Sequence, residues 1–389
     1  MAKPRISLCT YTYNDAELVR GLLAGLGAWS VRPDEIVVVD DGSRAPFDPG
    51  GLEDLSPTPR ILRLHPNQGI TRAKHAGLSA ARGDILLSVD CDMRLAQDWL
   101  EITLPHLSRP GVGLVGGSVL HAPGEDLVSR FLRRFGDNHN LEAIGPVDFI
   151  PGNAFLIRRA LWEELGGFSG HGLSVCEDHY LVARLGERGH TLYSDARAKA
   201  LQTRRIGRAA MCRRIWDWCR RAVTAQMLPG DRLVSYLFEV LVKPMLDRFA
   251  ISVDLGEPLF LYLDLLYLAH TALSCLDHAL EHGLAAPHLR DGFLRRLARL
   301  FDGYPRLWTM FRADLTAAGH PVLMPPEGDE AVWADFFLFA DFLRESGLFT
   351  WLERQGVEVL QQEDREGRYH FSSYARPEGA PQAASGPNP

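Results

Sequence analysis

Two carboxylates one residue apart, Asp90 and Asp92, stand directly after the apolar run Ile85 to Val89. Such a run reads as a strand buried on both faces. Acids at the carboxyl end of a parallel strand lie on the edge where open α/β sheets hold ligands. An Asp-x-Asp turn can direct oxygens at one hard cation, and that cation can hold a diphosphate. It can equally be a polar turn, since the pattern is frequent by chance. Arg72 and Lys74, on a helix expected over 70–81, add basic groups suited to phosphate. A second acidic pair, Glu177-Asp178, opens a helix that reaches Arg188. The helix dipole alone favours acids there. With Leu181, Val182 and Leu185 turned inward, Asp178 would face a cleft.

The elements that must position these groups follow from periodicity. Arg5 to Cys9 reads as a strand running into Thr10-Tyr11-Thr12-Tyr13-Asn14-Asp15, with Asp15 as N-cap of a helix bearing Leu18, Leu22, Leu23 and Leu26. Glu35 to Val39 is a second buried strand, and it ends in Asp40-Asp41-Gly42-Ser43. Further strands are expected at 61–64, 85–89, 113–120, 147–150, 155–158 and 190–193, with a helix at 99–107. The stretch 121–141 reads either as a solvated helix and loop or as a wall of an acceptor site. This alternation predicts an α/β fold, a Rossmann-like, mostly parallel sheet with flanking helices. Neither Gly-x-Gly-x-x-Gly nor a Walker loop follows the first strand, so a phosphate-bearing ligand would need a cation and basic side chains.

From Arg208 the texture changes to helices, expected at 209–225, 232–250, 258–282, 287–301, 304–318 and 330–355, with Pro244 kinking the second. Their apolar stripes, with Cys212 and Cys219, read as helix–helix core in an all-α C-terminal domain. The expected division is residues 1–205, a helical domain over 206–371, and a disordered tail over 372–389.

The chain has 389 residues, 42 basic and 49 acidic, for a formal charge of -7. That balance argues against a nucleic-acid partner. Six scattered cysteines and no Cys-x-x-Cys fit a reducing cytoplasm. Leu259 to Leu276 is apolar but carries Asp264 and His270, and reads as a buried helix. The expectation is a cytoplasmic protein. The basic pairs Arg204-Arg205, Arg213-Arg214 and Arg220-Arg221 are candidates for peripheral contact with the inner face of a membrane.

The motif order over the first 205 residues resembles family 2 glycosyltransferases, the inverting enzymes of the GT-A fold. The resemblance rests on Thr10-Tyr11-Thr12-Tyr13-Asn14, Ile36 to Ser43, Asn67-Gln68-Gly69 with Arg72, Gly83-Asp84, Val89-Asp90-Cys91-Asp92, Gly166-Gly167-Phe168 and Cys176-Glu177-Asp178. It implies that Tyr13 and Asp41 hold the nucleobase, with Tyr11 and Thr12 nearby, and that Arg72 reaches the nucleotide. Asp90 would lie near ribose and metal, and Asp92 would ligate Mn²⁺ or Mg²⁺. Asp178 would be the general base, with Glu177 beside it shaping the acceptor pocket. Tyr11 stands where the family usually has Pro, and Lys74 where it often has Asn. Where many members supply a metal-binding His, the counterpart is Gln202, a poorer ligand for transition ions.

The implied function is transfer of a sugar from a nucleotide-diphosphate donor, expected to be a UDP-sugar, to a hydroxyl of a saccharide, lipid-linked glycan or peptide. The helical half would bind acceptor or form a homodimer. The competing readings are a non-catalytic nucleotide- or glycan-binding member and a nucleotidyltransferase. The latter would want a Gly-rich basic loop after the first strand, which Thr10 to Asp15 lacks.

Overall fold

The computed structural model describes residues 3–52, 54–136, 138–172, 175–226, 248–322 and 334–366. These group into two compact units, one built on residues 1–123 and 136–204, the other on 124–135 and 205–370.

The first unit is a nine-stranded mixed sheet. Its strands are β1 (Ile6–Thr12), β2 (Glu35–Asp40), β3 (Arg60–Arg63), β4 (Ile85–Val89), β5 (Met93–Leu95), β6 (Val112–His121), β7 (Ile144–Val147), β8 (Ala154–Arg158) and β9 (Thr191–Gln202). The order is β3-β2-β1-β4-β8-β6-β9-β5, with β7 also on β9. From β3 to β4 every pairing is parallel, as is β6 on β9. β8 runs antiparallel to both its neighbours, and β5 and β7 run antiparallel to β9.

Alternation along each strand splits the core between the two faces. Leu8, Val38 and Leu87 pack on one side with Val19, Leu22 and Leu23 of α1 (Ala16–Gly25). Cys9, Val37 and Leu86 pack on the other. That side also takes Leu78 of α2 (Ile70–Ala80), Trp162 of α5 (Arg159–Leu165), and Leu181 and Leu185 of α6 (Glu177–Glu187). The helix expected at 99–107 is α3 (Trp99–Thr103), continued by a 3₁₀ segment over Leu104–Ser108.

Several boundaries differ from the periodicity reading. The last strand does not stop at Tyr193 but continues to Gln202, because small residues such as Ala196, Ala198 and Ala200 are buried against the sheet. The strand expected at 147–150 lies instead at Ile144–Val147, paired with β9. Asp15 occupies the N-cap position of α1 but its side chain makes no capping bond. The stretch 121–141 is neither wholly solvated nor loop. It contains α4 (Leu127–Phe135), whose Leu127, Val128, Phe131 and Leu132 are buried.

α4 belongs to the second unit, where the Phe131 and Phe260 rings meet edge to face at 5.6 Å. The helix Pro258–Glu281 forms this unit's core, buried almost all round from Leu259 to Cys275. It is long and apolar enough to cross a membrane, yet its apolar window is wholly buried in protein. Around it, Arg208 pairs with Asp314 at 2.7 Å and Asp364 at 2.9 Å, and the Tyr262 hydroxyl donates to Asp314 at 2.7 Å. The helix expected over 330–355 is interrupted at Gly347, and a π turn over Leu352–Gly356 follows. Cys212 is buried, as expected for core packing. The Cys219 and Arg220-Arg221 side chains, Pro244 and the 372–389 tail lie outside the described residues.

Candidate active site

Strand directions alone gather the acids. β1, β2 and β4 are parallel, so Thr12, Asp40-Asp41 and Asp90 leave the sheet at one edge. β8 is antiparallel to β4, which brings the turn Gly152-Asn153 to the same edge, and the Asp90 amide donates to the Asn153 carbonyl at 2.9 Å. β6 and β9 end there too, with His121 beside Gln202. β5 pairs antiparallel with β9 so that Met93 faces Gln202, which sets Gln202 next to the Asp92 turn.

Two cations sit among these carboxylates. Lys74 of α2 is buried, with Nζ 2.9 Å from Asp90 Oδ1 and donating to Glu177 Oε1 at 2.6 Å and the Gly152 carbonyl at 2.8 Å. Burial alone would lower the ammonium's pKa, but Asp90 and Glu177 outweigh it and hold it above the usual lysine range. Arg204 donates through Nε to Asp92 Oδ2 and through Nη1 to Asp15 Oδ2, both at 2.8 Å. The Thr203 amide and hydroxyl both donate to the Asp92 carbonyl, each at 2.8 Å, stitching this segment to the Asp90–Asp92 turn. Asp15 thus serves Arg204 with its side chain rather than capping α1.

Asp178, half-buried at the start of α6, accepts from the Gly152 amide at 3.0 Å and from the His179 amide at 2.8 Å. Both oxygens are oriented by backbone, and each retains a lone pair. Cys176, just before the helix, has φ +63°, a left-handed conformation that costs a non-glycine residue about 1–2 kcal/mol. The Gly152 turn allows close approach. A Cβ there would stand 2.9 Å from Glu177 Oε1 and 3.1 Å from Lys74 Nζ. Gly152→Ala is therefore expected to push the Lys74–Glu177 pair away from Asp178. It should reduce any Asp178-dependent turnover more than it reduces nucleotide-induced thermal stabilisation.

Asp41 lies on the same edge, at the end of β2. Its carboxylate accepts from Asn67 Nδ2 at 2.9 Å and from the Gln68 and Gly69 amides, each at 2.8 Å. Burial pushes its pKa up to about 6, against the pull of those two amides. Thr12 is buried and its carbonyl takes the Asp41 amide at 2.8 Å. Tyr13 is half-buried, and Asn14 ties that loop to Ser43 and Arg44. Lys74 Nζ lies 5.6 Å from the Tyr11 ring centroid.

The structure thus brings together Tyr11, Thr12, Tyr13, Asp41, Asp90, Asp92, Glu177, Asp178 and Gln202 along one edge. It places Arg72 exposed on α2, and the basic group it delivers to the carboxylates is Lys74. The sequence makes the pair Arg204-Arg205 a candidate for peripheral membrane contact. Arg204 is instead 9% exposed and bound within the site, because two buried acids require a cation. Its neighbour Arg205 is exposed. Sequence reasoning also missed Gly152, Asn153 and Asp15 as site residues.

The donor set suits a hard divalent cation. Asp90 Oδ1 and Asn153 Oδ1 are buried oxygens with no aligned hydrogen-bond partner, although Asp90 Oδ1 is within ion-pair reach of Lys74. Burial pushes the Asp90 pKa upward, although Lys74 pulls against it. Four carboxylates, Asp15, Asp90, Asp92 and Glu177, share the cations Lys74 and Arg204, leaving a formal charge of two negatives.

A mixed, mostly parallel sheet whose edge carries an Asp-x-Asp turn opposite a backbone-held carboxylate is an α/β architecture of GT-A type. Residues 7–166 match the glycosyl transferase family 2 profile. The chain therefore carries a family 2 glycosyltransferase domain, followed by a largely helical region. It is 29% identical over 170 residues to a pre-mycofactocin glycosyltransferase of Mycobacterium tuberculosis, covering 42% of this chain and 36% of that protein. It is 26% identical over 199 residues to glycosyltransferase AglE of Haloferax volcanii, covering 49% and 64%. The chain thus spans from about a third to under two thirds of these relatives' lengths. Among solved structures, a mannosyltransferase of Pyrobaculum calidifontis in complex with GDP-Man and Mn²⁺ aligns at 22% identity and a TM-score of 0.43, covering 82% of this chain and 86% of its own.

Proposed function

We propose that this chain transfers a sugar from a nucleotide-diphosphate donor, a UDP-sugar, to an acceptor hydroxyl with inversion. The observation that carries this reading is Asp178, oriented by two backbone amides and tied through Gly152 to Lys74 and the Asp90–Asp92 turn. The curated relatives, which are named as glycosyltransferases, support it.

In this mechanism Asp178 takes the proton of the acceptor hydroxyl. The acceptor oxygen bonds to the anomeric carbon as the bond from that carbon to the β-phosphate oxygen breaks, and the nucleoside diphosphate departs. One base on the face opposite the leaving group gives inversion without a covalent intermediate. Asp92 and Asp90, with Gln202 and Asn153 beside them, would hold a Mn²⁺ or Mg²⁺ ion. When bound, that ion neutralises charge developing on the diphosphate. Asp41 and Tyr13, with Tyr11 and Thr12, would hold the nucleobase, while Lys74 fixes Glu177 and Asp90. The acceptor class proposed is a saccharide, free or lipid-linked.

Melting temperature against UDP, GDP, dTDP and CDP, with and without Mn²⁺, tests this directly. UDP with Mn²⁺ is expected to give the largest rise, and no rise with any nucleotide would sink the reading. Asp92→Ala is expected to lose both the nucleotide shift and transfer. The Arg204–Asp92 pair favours a second reading, a non-catalytic binder in which Asp92 stays paired with Arg204. It predicts a nucleotide shift with no product from any acceptor.

Asp41 adds a pH dependence. Its folded pKa, about 6, lies above the ordinary aspartate value, so the native state holds a proton that the unfolded chain has lost. Stability from this group falls as pH rises from about 4 through 6. Nucleotide affinity should move oppositely, weakening as pH drops through about 6 and the Asp41 carboxylate is protonated. Calorimetric titration of UDP between pH 5 and 8 checks the sign, with Asp41→Asn expected to flatten the profile.

A further inference from the structure

Arg204 is the group on this edge that the proposed chemistry leaves without a role. Its guanidinium is nine-tenths buried and shared between Asp92 Oδ2 and Asp15 Oδ2, with Nη2 3.8 Å from Cys91 Sγ. Burial would lower its pKa, yet Asp92, Cys91 and Asp15 keep it well above the ordinary value, so the charge is permanent. The contact is built by backbone, since Thr203 grips the Asp92 carbonyl with both amide and hydroxyl. Arg204 therefore already satisfies one oxygen of the acid best placed to hold a divalent ion.

We propose that Arg204 is the resident counter-cation of Asp92, which a divalent ion must displace, so that this chain takes up metal weakly until a diphosphate arrives to receive the guanidinium. The inference rests on the glycosyltransferase reading for the identity of the diphosphate. Two physical points support it, and a third bears equally on simple addition. Two cations cannot share Asp92 Oδ2 at bonding distance without strong repulsion in a buried site. A guanidinium stripped from two carboxylates must find another anion, and its planar fork matches phosphate oxygens. The formal charge of two negatives around Lys74 and Arg204 is what one divalent ion neutralises, so an ion added beside a seated Arg204 would also be favoured by net charge. Displacement and simple addition differ in how Mn²⁺ affinity depends on the seat Arg204 occupies.

The coupling is reciprocal. If a diphosphate raises Mn²⁺ affinity by drawing Arg204 off Asp92, Mn²⁺ raises diphosphate affinity by the same factor. Arg204→Gln removes the competitor and should tighten Mn²⁺ binding without nucleotide by roughly tenfold or more, while shrinking the enhancement by UDP toward unity. Arg204→Lys separates displacement from bulk electrostatics. It keeps the charge but lacks the fork that spans Asp92 and Asp15. Under displacement its Mn²⁺ affinity without UDP lies between parent and Arg204→Gln, and under charge addition alone it equals the parent's.

The experiment titrates the full chain and both variants with Mn²⁺, reading free aquo-Mn²⁺ by electron paramagnetic resonance, with and without UDP. Melting curves confirm that each variant is folded. Tighter Mn²⁺ binding by both folded variants without UDP, with reduced coupling to UDP, supports the proposal. A folded Arg204→Lys that binds Mn²⁺ no more tightly than the parent overturns it. Should Arg204→Gln fail to fold, Arg204→Lys and the parent's own Mn²⁺–UDP coupling decide the matter, and a parent coupling factor near one overturns it. A parent that binds no nucleotide of the UDP, GDP, dTDP and CDP set sinks the glycosyltransferase reading instead. The nucleotide-free Mn²⁺ comparison still tests Arg204 in that case.

Discussion

Asp178→Asn is expected to keep the nucleotide-dependent thermal shift and to lose transfer by about 10²–10⁴-fold, the usual worth of a positioned base. The substitution preserves size but removes the proton acceptor. It also disturbs orientation, because Asp178 uses both oxygens to accept backbone amides, from Gly152 and His179. An asparagine offers one carbonyl to two donors and leaves one amide against its NH₂ group. Where the buried Gly152 amide is the one left unmatched the penalty is about 1–3 kcal/mol and a modest fall in melting temperature accompanies the loss, whereas the exposed His179 amide can turn to water. In the proposed mechanism donor binding rests on Asp41, Tyr13 and the Asp90–Asp92 turn rather than on Asp178, so it should survive. Measuring the UDP–Mn²⁺ thermal shift and product formation on the same preparation separates these effects. Transfer at the parental rate would remove Asp178 from the mechanism.

Lys74→Met is expected to be the most destabilising single change at the site. Lys74 is the partner of two acids, Asp90 and Glu177, and its own side chain is 3% exposed. Methionine fits the volume but leaves buried carboxylates uncompensated. Breaking a buried pair from one side costs about 3–5 kcal/mol, which is roughly 6–20 °C for a domain of this size. The raised Lys74 pKa agrees in sign, since the charged form is the one the fold stabilises. Lys74→Met with Glu177→Gln should recover part of the loss, because the double variant buries one charge fewer. A single variant that melts with the parent would show that water or a rearranged partner already screens these acids.

The edge of the sheet was legible because hydrophobic runs ending in acids are local patterns. Asp41, Asp90, Asp92, Glu177 and Asp178 each follow or open a regular element that periodicity finds. What could not be read was which cation serves which acid. Lys74 meets Glu177 across 103 residues and Arg204 meets Asp92 across 112, distances set by strand order and by the β5–β9 register. β5 is three residues long, too short to show a period, and β9 hides its second half in small residues with weak strand preference. Without that register, Arg204 looks like half of a surface basic pair. A helix within 121–141 was legible, but the burial of α4 was obscured, its apolar positions 127, 128, 131 and 132 lying among arginines.

The turn at Gly152-Asn153 has a mechanical consequence. Three backbone groups of two adjacent residues reach three separate parts of the site: the Gly152 amide to Asp178, its carbonyl to Lys74, and the Asn153 carbonyl to the Asp90 amide. Main chain thus acts as a crossbar between Asp178 and the Asp90–Asp92 turn. Under the proposed mechanism, the spacing between the proton acceptor and the acids near the leaving group is then held through two consecutive peptides. Under that mechanism, residues around the acceptor could change, and with them the acceptor received, without altering the distance over which the reaction would act.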